Sequence, residues 1–442
     1  MLEAVNKLLW GPGTLALLLG SGVFLTLRLR FLPWRRLGFA LRSALGREAR
    51  QAGGGGVSPF SALMTALAAT IGTGNIVGVA TALVAGGPGA LVWMEVSALF
   101  GMALTFSECT LAVKYRRRNR RGEWCGGPMY VMSAALGRPG KWMAAVFSAF
   151  AAAASLGIGS MTQANSIAGA LTAVAKVPVG LVGLVTAALA LAGILGGIRS
   201  ISKITSVLVP VMAVLYMAAG LAVILGNLPR LPAGLAEIFR CALSPQAAAG
   251  GTLGTALRWG VARGVFSNEA GLGSAAIAAA SADTDSPVRQ GYIGMTGVFF
   301  DTIVICTVTG LAICCSGVLG TLDAAGTPVD GAALTILAFQ TVLGSWGARF
   351  ISGSIVLFAF STILGWEYQG EQAFAYLSGG RGVGLYRLLF ALAALLGAGA
   401  RLEAVFLFSD ICNALMCVPN LLCLLLLSGT VVRETRGGRR KW

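Results

Sequence analysis

The stretch Thr65–Ala80 reads TALAATIGTGNIVGVA and lies inside an apolar run, from Pro59 to about Val84, that is long enough to cross a bilayer. Its centre, Gly72-Thr73-Gly74-Asn75, is made of poor helix formers and hydrogen-bonding groups. A simple membrane anchor has no need of such a centre. A helix that breaks at the membrane midplane, freeing backbone N–H and C=O groups for a solute, does need one. Irregular backbone persists at that depth only where protein or a polar cavity covers it. A tightly packed interface of small residues is the other arrangement that Gly and Thr favour.

The composition places the whole chain in lipid. Its 442 residues are 56% apolar and 11% charged, with a mean hydropathy of +0.80, where a soluble domain carries about 25% charge. No stretch looks like a soluble domain or a nucleic-acid module. The net charge of +16 comes from short loops beside apolar segments, so it reads as topology and implies no nucleic-acid partner. The run near Gly11–Leu27 is followed by arginines, as expected of a retained first span and not a removed signal peptide. Nine scattered cysteines, none at zinc spacing, read as buried small hydrophobes, and the absence of histidine removes the commonest neutral-pH proton relay.

Eleven spans are expected, near 12–30, 59–84, 88–113, 142–172, 178–196, 204–226, 255–281, 292–318, 335–366, 384–400 and 404–427. With that count the basic loops share one side, which is then cytoplasmic. They are Arg28–Arg50, Lys114–Lys141 (including Arg120 and Arg121), Arg199 with Lys203, and a tail carrying Arg433, Arg436, Arg439, Arg440 and Lys441. The N-terminus is then outside and the C-terminus inside. Ser200–Lys203 reads as an interfacial turn. The connection 227–254, with Pro229, Pro232 and Pro245, reads as an outer segment holding a short helix near Ala236–Cys241. Setting aside residues 1–50, the spans form two groups of five, 51–226 and 255–427, before a tail at 428–442. Each group opens with an interrupted helix, the second at Asn268–Ser274, and the two groups run antiparallel.

The second interruption, VFSNEAGLGS over Val265–Ser274, sets Asn268 and Glu269 beside Gly271 and Gly273. A carboxylate at that depth costs several kcal/mol unless partnered. Glu269 either holds the unwound segment together or titrates during transport. Of the other acids, Glu108 is expected to balance the basic loop near it, while Asp301 and Asp410 read as buried structural partners. Glu95 lies about 20 Å along the helix from Glu108, too far for a close pair. Glu367 and Glu371 follow the ninth span. Gln163 suits either a zwitterion's head group or a helix–helix hydrogen bond. Ser361, Thr362 and Trp366 fall in FSTILGWEYQGE, and Thr362 and Trp366 share a helix face. Those hydroxyls suit a small cation, and Trp366 either walls off a small side chain or anchors the membrane interface.

Five runs in order carry a resemblance that covers nearly the whole chain: ATIGTGNIVGVA (Ala69–Ala80), GGPGALVWMEVSALFGM (Gly86–Met102), GGPMY (Gly126–Tyr130), VFSNEAGLGSA (Val265–Ala275) and FSTILGWEYQGE (Phe360–Glu371). In them the chain resembles the alanine or glycine:cation symporter family, the bacterial and archaeal sodium:alanine symporters. The resemblance implies an all-α membrane protein with a leucine-transporter-type fold, five-plus-five inverted repeats and one extra N-terminal helix. It implies uptake of a small neutral amino acid coupled to sodium, by a protein that is no enzyme and needs no cofactor, and the sequence leaves the oligomeric state open. The substrate residues it implies are Thr73, Gly74, Asn75, Gln163, Phe266, Thr362 and Trp366. The cation position it implies combines oxygens around Ala69 and Gly72 with Ser361 and Thr362, while Glu269, Gly271, Gly273 and Asp301 take structural or gating roles. The chain departs from the family where relatives commonly have proline and, three positions later, histidine: it has Ala276 and Ala279.

Overall fold

The computed structural model describes residues 2–52, 56–119, 122–243, 252–400 and 403–438, almost all of them helical. Arg120, Arg121, Pro245, Arg439, Arg440 and Lys441 lie outside the described residues. Six helices are long and apolar enough to span a bilayer: Ala90–Lys114, Gly137–Thr172, Gly197–Gly226, Pro287–Ser316, Ser345–Ser378 and Val405–Gly437. A seventh span is a bent pair, Pro59–Thr70 with Gly74–Gly86, whose halves meet at 51°. Shorter apolar helices cover Pro12–Arg28, Val179–Ile194, Gly331–Leu343 and Val383–Gly397.

Both expected breaks are present, and local chemistry explains each. The first broken helix starts where Ser58 Oγ accepts from Ser61 N at 3.1 Å with Pro59 in the first turn, and it stops at Ile71, whose ψ of 88° leaves the helical region. The second runs over Thr252–Asn268, breaks across Glu269–Gly273 and resumes as Ser274–Ala280. Gly271 and Gly273 take φ of +89° and +82°, a region glycine enters without cost, and Glu269 joins them at +56°.

Three element boundaries differ from the sequence expectation. The expected span 335–366 is two helices, Gly331–Leu343 and Ser345–Ser378, because Gly344 turns the chain with φ +56° and ψ −139°. Ser200–Lys203 forms no turn, since helix Gly197–Gly226 already contains it. The short helix expected near Ala236–Cys241 extends over Leu231–Leu243 and buries Gly234, Ile238 and Ala242, a four-residue spacing that makes one face.

Large apolar side chains cover the outside of the bundle, and polar groups are buried within an interior that is itself largely apolar. Helix Gly197–Gly226 exposes Val207, Val211, Val214, Leu221 and Leu225, while Asn75, Gln163, Asn268, Glu269, Asp301 and Glu367 are buried. Lipid gives no hydrophobic drive for one helix to pack on another, so close approach through small residues holds the bundle together. Gly365 is a close case against the backbone at the first break: a Cβ there would stand 2.5 Å from Ala69 N and 2.8 Å from Ala69 Cα.

The basic loops converge on one end of the bundle. Arg289 pairs with Glu48 at 2.7 Å and Lys114 with Glu434 at 2.5 Å. Glu108 therefore does not balance the basic loop as expected. It is buried, and its Oε1 accepts from Asn420 Nδ2 at 2.7 Å. At the other end, Asp323 closes a turn by accepting from Thr327 Oγ1 (2.5 Å), Thr327 N (2.9 Å) and Ala325 N (2.8 Å). The Thr327 hydroxyl and amide hold its carboxyl below the usual carboxylate range.

Gly365→Val places two methyl groups against the Ala69 backbone. Overpacking of this kind costs about 1–3 kcal/mol, and a lower melting temperature of the purified protein, with Gly365→Ala intermediate, is the expected result in a thermal-shift measurement.

Candidate functional site

The first break is held open by one side chain. Asn75 Oδ1 accepts from Gly72 N at 2.9 Å, and Asn75 N donates to Gly72 O at 3.3 Å, so the unwound turn closes on itself. The Asn75 amide then points away, and its Nδ2 donates to Asp301 Oδ1 (2.8 Å) and Asp301 O (3.1 Å) and contacts Cys306 Sγ (3.3 Å).

Asp301 connects this break to the second broken helix. Its Oδ2 accepts from Ser267 Oγ at 2.8 Å and from Thr302 Oγ1 at 2.9 Å, and Thr302 Oγ1 accepts in turn from Asn268 Nδ2 at 3.1 Å. Asn268 Oδ1 caps the broken end by accepting from Ala270 N at 3.0 Å. The helices meet close by, where a Cβ on Gly74 would stand 3.4 Å from Ser267 Cα. Beyond the break, Glu269 Oε2 accepts from Ser274 Oγ, and the Trp366 side chain interacts with the same carboxyl group. Gly271 O accepts from Asn420 Nδ2 at 2.9 Å, and Gly273 packs against Pro128 and Asn420.

The third wall comes from helices Gly137–Ala154 and Thr162–Ala175, joined through a π-helical turn at Ser155–Met161, and from Ser345–Ser378. Widened turns of this kind also occur at Gly74–Gly78 and Phe299–Cys306, so all three carry or adjoin residues of the candidate site. Gln163 Nε2 donates to Ile158 O at 3.0 Å, which turns Gln163 Oε1 toward Thr73 Oγ1 at 3.3 Å. Trp366 is buried against the same turn, and a Cβ on Gly159 would overlap its Cβ and stand 2.8 Å from its Cγ. Burial rules out an interfacial anchor for Trp366. Thr362 Oγ1 fills the space that a Cβ on Gly72 would need, and it has no hydrogen-bond partner among the described residues. An orphaned buried hydroxyl beside unwound backbone suits a hard cation held by oxygens. No cluster of His, Cys, Asp or Glu able to hold a metal ion occurs among the described residues.

The structure thus brings Ala69, Gly72, Thr73, Gly74, Asn75, Gln163, Asp301, Thr362, Trp366 and Glu269 into one connected region. Two of the residues expected there point elsewhere. Ser361 Oγ donates to Phe358 O at 2.8 Å and contacts Met212 Sδ at 3.7 Å. Phe266 lines a separate cavity of about 140 Å3 with Trp10, Trp259, Arg263 and Asp410, its ring centre 5.4 Å from the Arg263 guanidinium. Sequence reasoning missed Ser267, Thr302, Cys306 and Asn420. Ser267 and Asn420 are polar residues within apolar runs, the signal that singled out Asn75, but no spacing connects them to a partner.

Two discontinuous helices around a buried polar centre, in a bundle of helices long and apolar enough to span a bilayer, are the architecture of a secondary transporter. The structure is similar to that of MhsT in complex with L-phenylalanine, with a TM-score of 0.57 at 16% identity over 83% of this chain and 88% of that one, which places it in the leucine-transporter-type fold. The sodium:alanine symporter family matches residues 1–441, and the chain belongs to that family. The sodium/alanine symporter AgcS of Methanococcus maripaludis is 48% identical, covering 99% of this chain and 96% of the relative. The probable sodium/glutamine symporter GlnT of Bacillus subtilis is 38% identical over 96% and 87%. The protein is therefore a multi-pass membrane protein and a secondary amino-acid transporter of a family whose coupling ion is sodium.

Asn75→Ala removes the acceptor for Gly72 N and a donor to Asp301. Each buried group left unpaired costs about 1–3 kcal/mol. A clear loss of thermal stability is expected, together with loss of ligand-induced stabilisation, both read in one thermal-shift titration with alanine and sodium. A variant that melts like the wild type would show that Asn75 does not hold the break.

Proposed function

We propose that the chain imports a small neutral amino acid, alanine or glycine, together with sodium by alternating access across the cell membrane. The observation that carries this reading is the enclosure of the first break by Thr73, Gln163, Thr362 and Trp366, with the break itself tied to the second broken helix through Asp301. The substrate carboxylate takes the backbone N–H groups freed at a broken helix end, where the local dipole favours negative charge. Its ammonium group is met by the oxygens of Thr73 and Gln163 and by unwound carbonyls. Trp366 leaves room for a short side chain. Sodium lies between the Ala69–Gly72 backbone and Thr362, with Ser361 as a ligand after a rotamer change.

In this reading the chain has eleven spans. The N-terminal helix and basic loop (1–50) precede inverted repeats at 51–226 and 255–427, joined by the outer connection 227–254 and followed by a cytoplasmic tail, 428–442. The N-terminus is outside, the arginine-rich end of the bundle faces the cytoplasm, and the monomer is the working unit. Convergence of the basic loops on one end supports that orientation. The carboxyls of Glu269 and Asp301 serve as structural acceptors, each engaged by side-chain donors.

Reconstituted in liposomes, the protein is expected to concentrate alanine only under an inward sodium gradient, with glycine competing. Uptake that survives sodium replacement but follows a pH step would mean proton coupling, and flux without concentration would mean a channel. Competition by glutamine, the substrate in the name of one relative, sets the upper size of the pocket. Thr362→Ala is expected to raise the sodium concentration for half-maximal uptake by about tenfold, the loss of roughly one oxygen ligand's worth of a charge-assisted contact.

A further inference from the structure

At the arginine-rich end, the second broken helix finishes beside the start of the first. Its half-helix Ser274–Ala280 is seven residues long, so most of its carbonyls lie in the last turn and need donors from outside the helix. Ser281 N and Ala282 N turn back to Ala278 O and Ala279 O, at 3.1 and 3.2 Å. Two distant segments serve the carbonyls that follow. Val57, just ahead of the first broken helix, forms a parallel bridge with Ala282: Val57 N donates to Ser281 O at 3.2 Å, and Asp283 N donates to Val57 O at 2.7 Å. Arg116, from the connection after Ala90–Lys114, donates through Nη1 to Ala280 O at 3.1 Å and to Ala282 O, and through Nη2 to Thr284 O at 2.6 Å.

The Arg116 guanidinium lies over the Trp124 ring at 4.0 Å, and Arg118 lies against that ring at 4.5 Å. Gly56 lets the layers meet, since a Cβ there would stand 2.5 Å from Ser281 O and 3.3 Å from Trp124 Cδ1. One planar fork thus satisfies three diverging carbonyls, which the compact charge of lysine cannot do as well. Positive charge at the carbonyl end of a helix is favourable in its own right. A cavity of about 720 Å3, lined by Pro59, Asp283, Asp285, Arg289 and Arg433, opens against the same segment.

We infer that Arg116 is a positioning residue for the transport cycle, a latch that fastens the end of the second broken helix to the connection after Ala90–Lys114, whose Trp124 lies beside Gly56 at the base of the first, and keeps this side of the site shut. The inference rests on the alternating-access reading, because a latch matters only if these helix ends part. Opening toward the arginine-rich end separates Val57 from Ala282 and draws three carbonyls off one guanidinium. Weakening the latch enlarges the fraction of protein open to that side at the expense of the outward-facing form.

Hydrogen–deuterium exchange on the purified protein reads the latch without any transport. Arg116→Gln is expected to raise exchange at least tenfold in peptides covering 56–62 and 274–285, while Ala90–Lys114 stays protected. Arg116→Lys should fall between, and Trp124→Ala, which removes the stacking and the contact beside Gly56 but leaves the guanidinium hydrogen bonds, should move the same peptides less. In liposomes of one orientation, Arg116→Gln raises the KM for external alanine several-fold and changes kcat less than twofold, since only the outward-facing fraction accepts external substrate. Unchanged exchange in both Arg116→Gln and Trp124→Ala overturns the latch, and Trp124→Ala decides alone if Arg116→Gln fails to fold. Raised exchange with an unchanged KM overturns the positioning role. Raised exchange in the variants, with no sodium-driven uptake by the wild type, keeps the latch and rejects the transport reading.

Discussion

The buried carboxylate of Asp301 is the constraint on which the rest of the molecule depends. An unpartnered charge at that depth would cost several kcal/mol, and here donors from Asn75, Ser267 and Thr302 surround it. Two of those donors belong to different broken helices. The same hydrogen bonds that make the charge tolerable therefore fix the two breaks against each other. Neither break is stable alone, because each exposes backbone groups that lipid cannot satisfy.

Around this centre the backbone is loosened in a controlled way. Three π-helical turns, at Gly74–Gly78, Ser155–Met161 and Phe299–Cys306, supply Asn75, the Ile158 carbonyl that orients Gln163, and Asp301. Glycines do the complementary work of close approach. Gly72 admits Thr362, Gly159 admits Trp366, and Gly365 lets the helix Ser345–Ser378 rest on Ala69. Polar partners and small residues thus act together, as helix association in lipid requires. With Ala276 and Ala279 in place, Ser274–Ala280 is helical and fully buried, and Ala276 packs against Ala112 and Ala280.

The two ends of the bundle are built differently. The arginine-rich end is closed by backbone carbonyls, a forked cation and ion pairs between loops. On the other side of the second break, the approach is lined by aromatic rings with Arg263 and Asp410 around a small cavity.

Much of this was written in the order of the residues. An apolar run interrupted by Gly72-Thr73-Gly74-Asn75, and another by Asn268-Glu269-Ala270-Gly271, determined that two helices break, since no continuous helix is favoured across such residues in lipid. The i, i+4 spacing put Thr362 and Trp366 on one face, and the loop arginines marked one end of the bundle. Only the tertiary structure decided which polar groups meet. Asp301 lies 226 positions from Asn75 and Glu108 lies 312 from Asn420, so nothing local joined them, and Glu108 looked like a partner for the basic loop nearby. The split at Gly344, the turning of Ser361 toward Met212 and the place of Phe266 beside a different cavity were settled the same way. Sequence sets where a backbone group is freed or a charge must be buried, because those costs are local. Which partner answers that cost depends on packing between helices far apart in the chain.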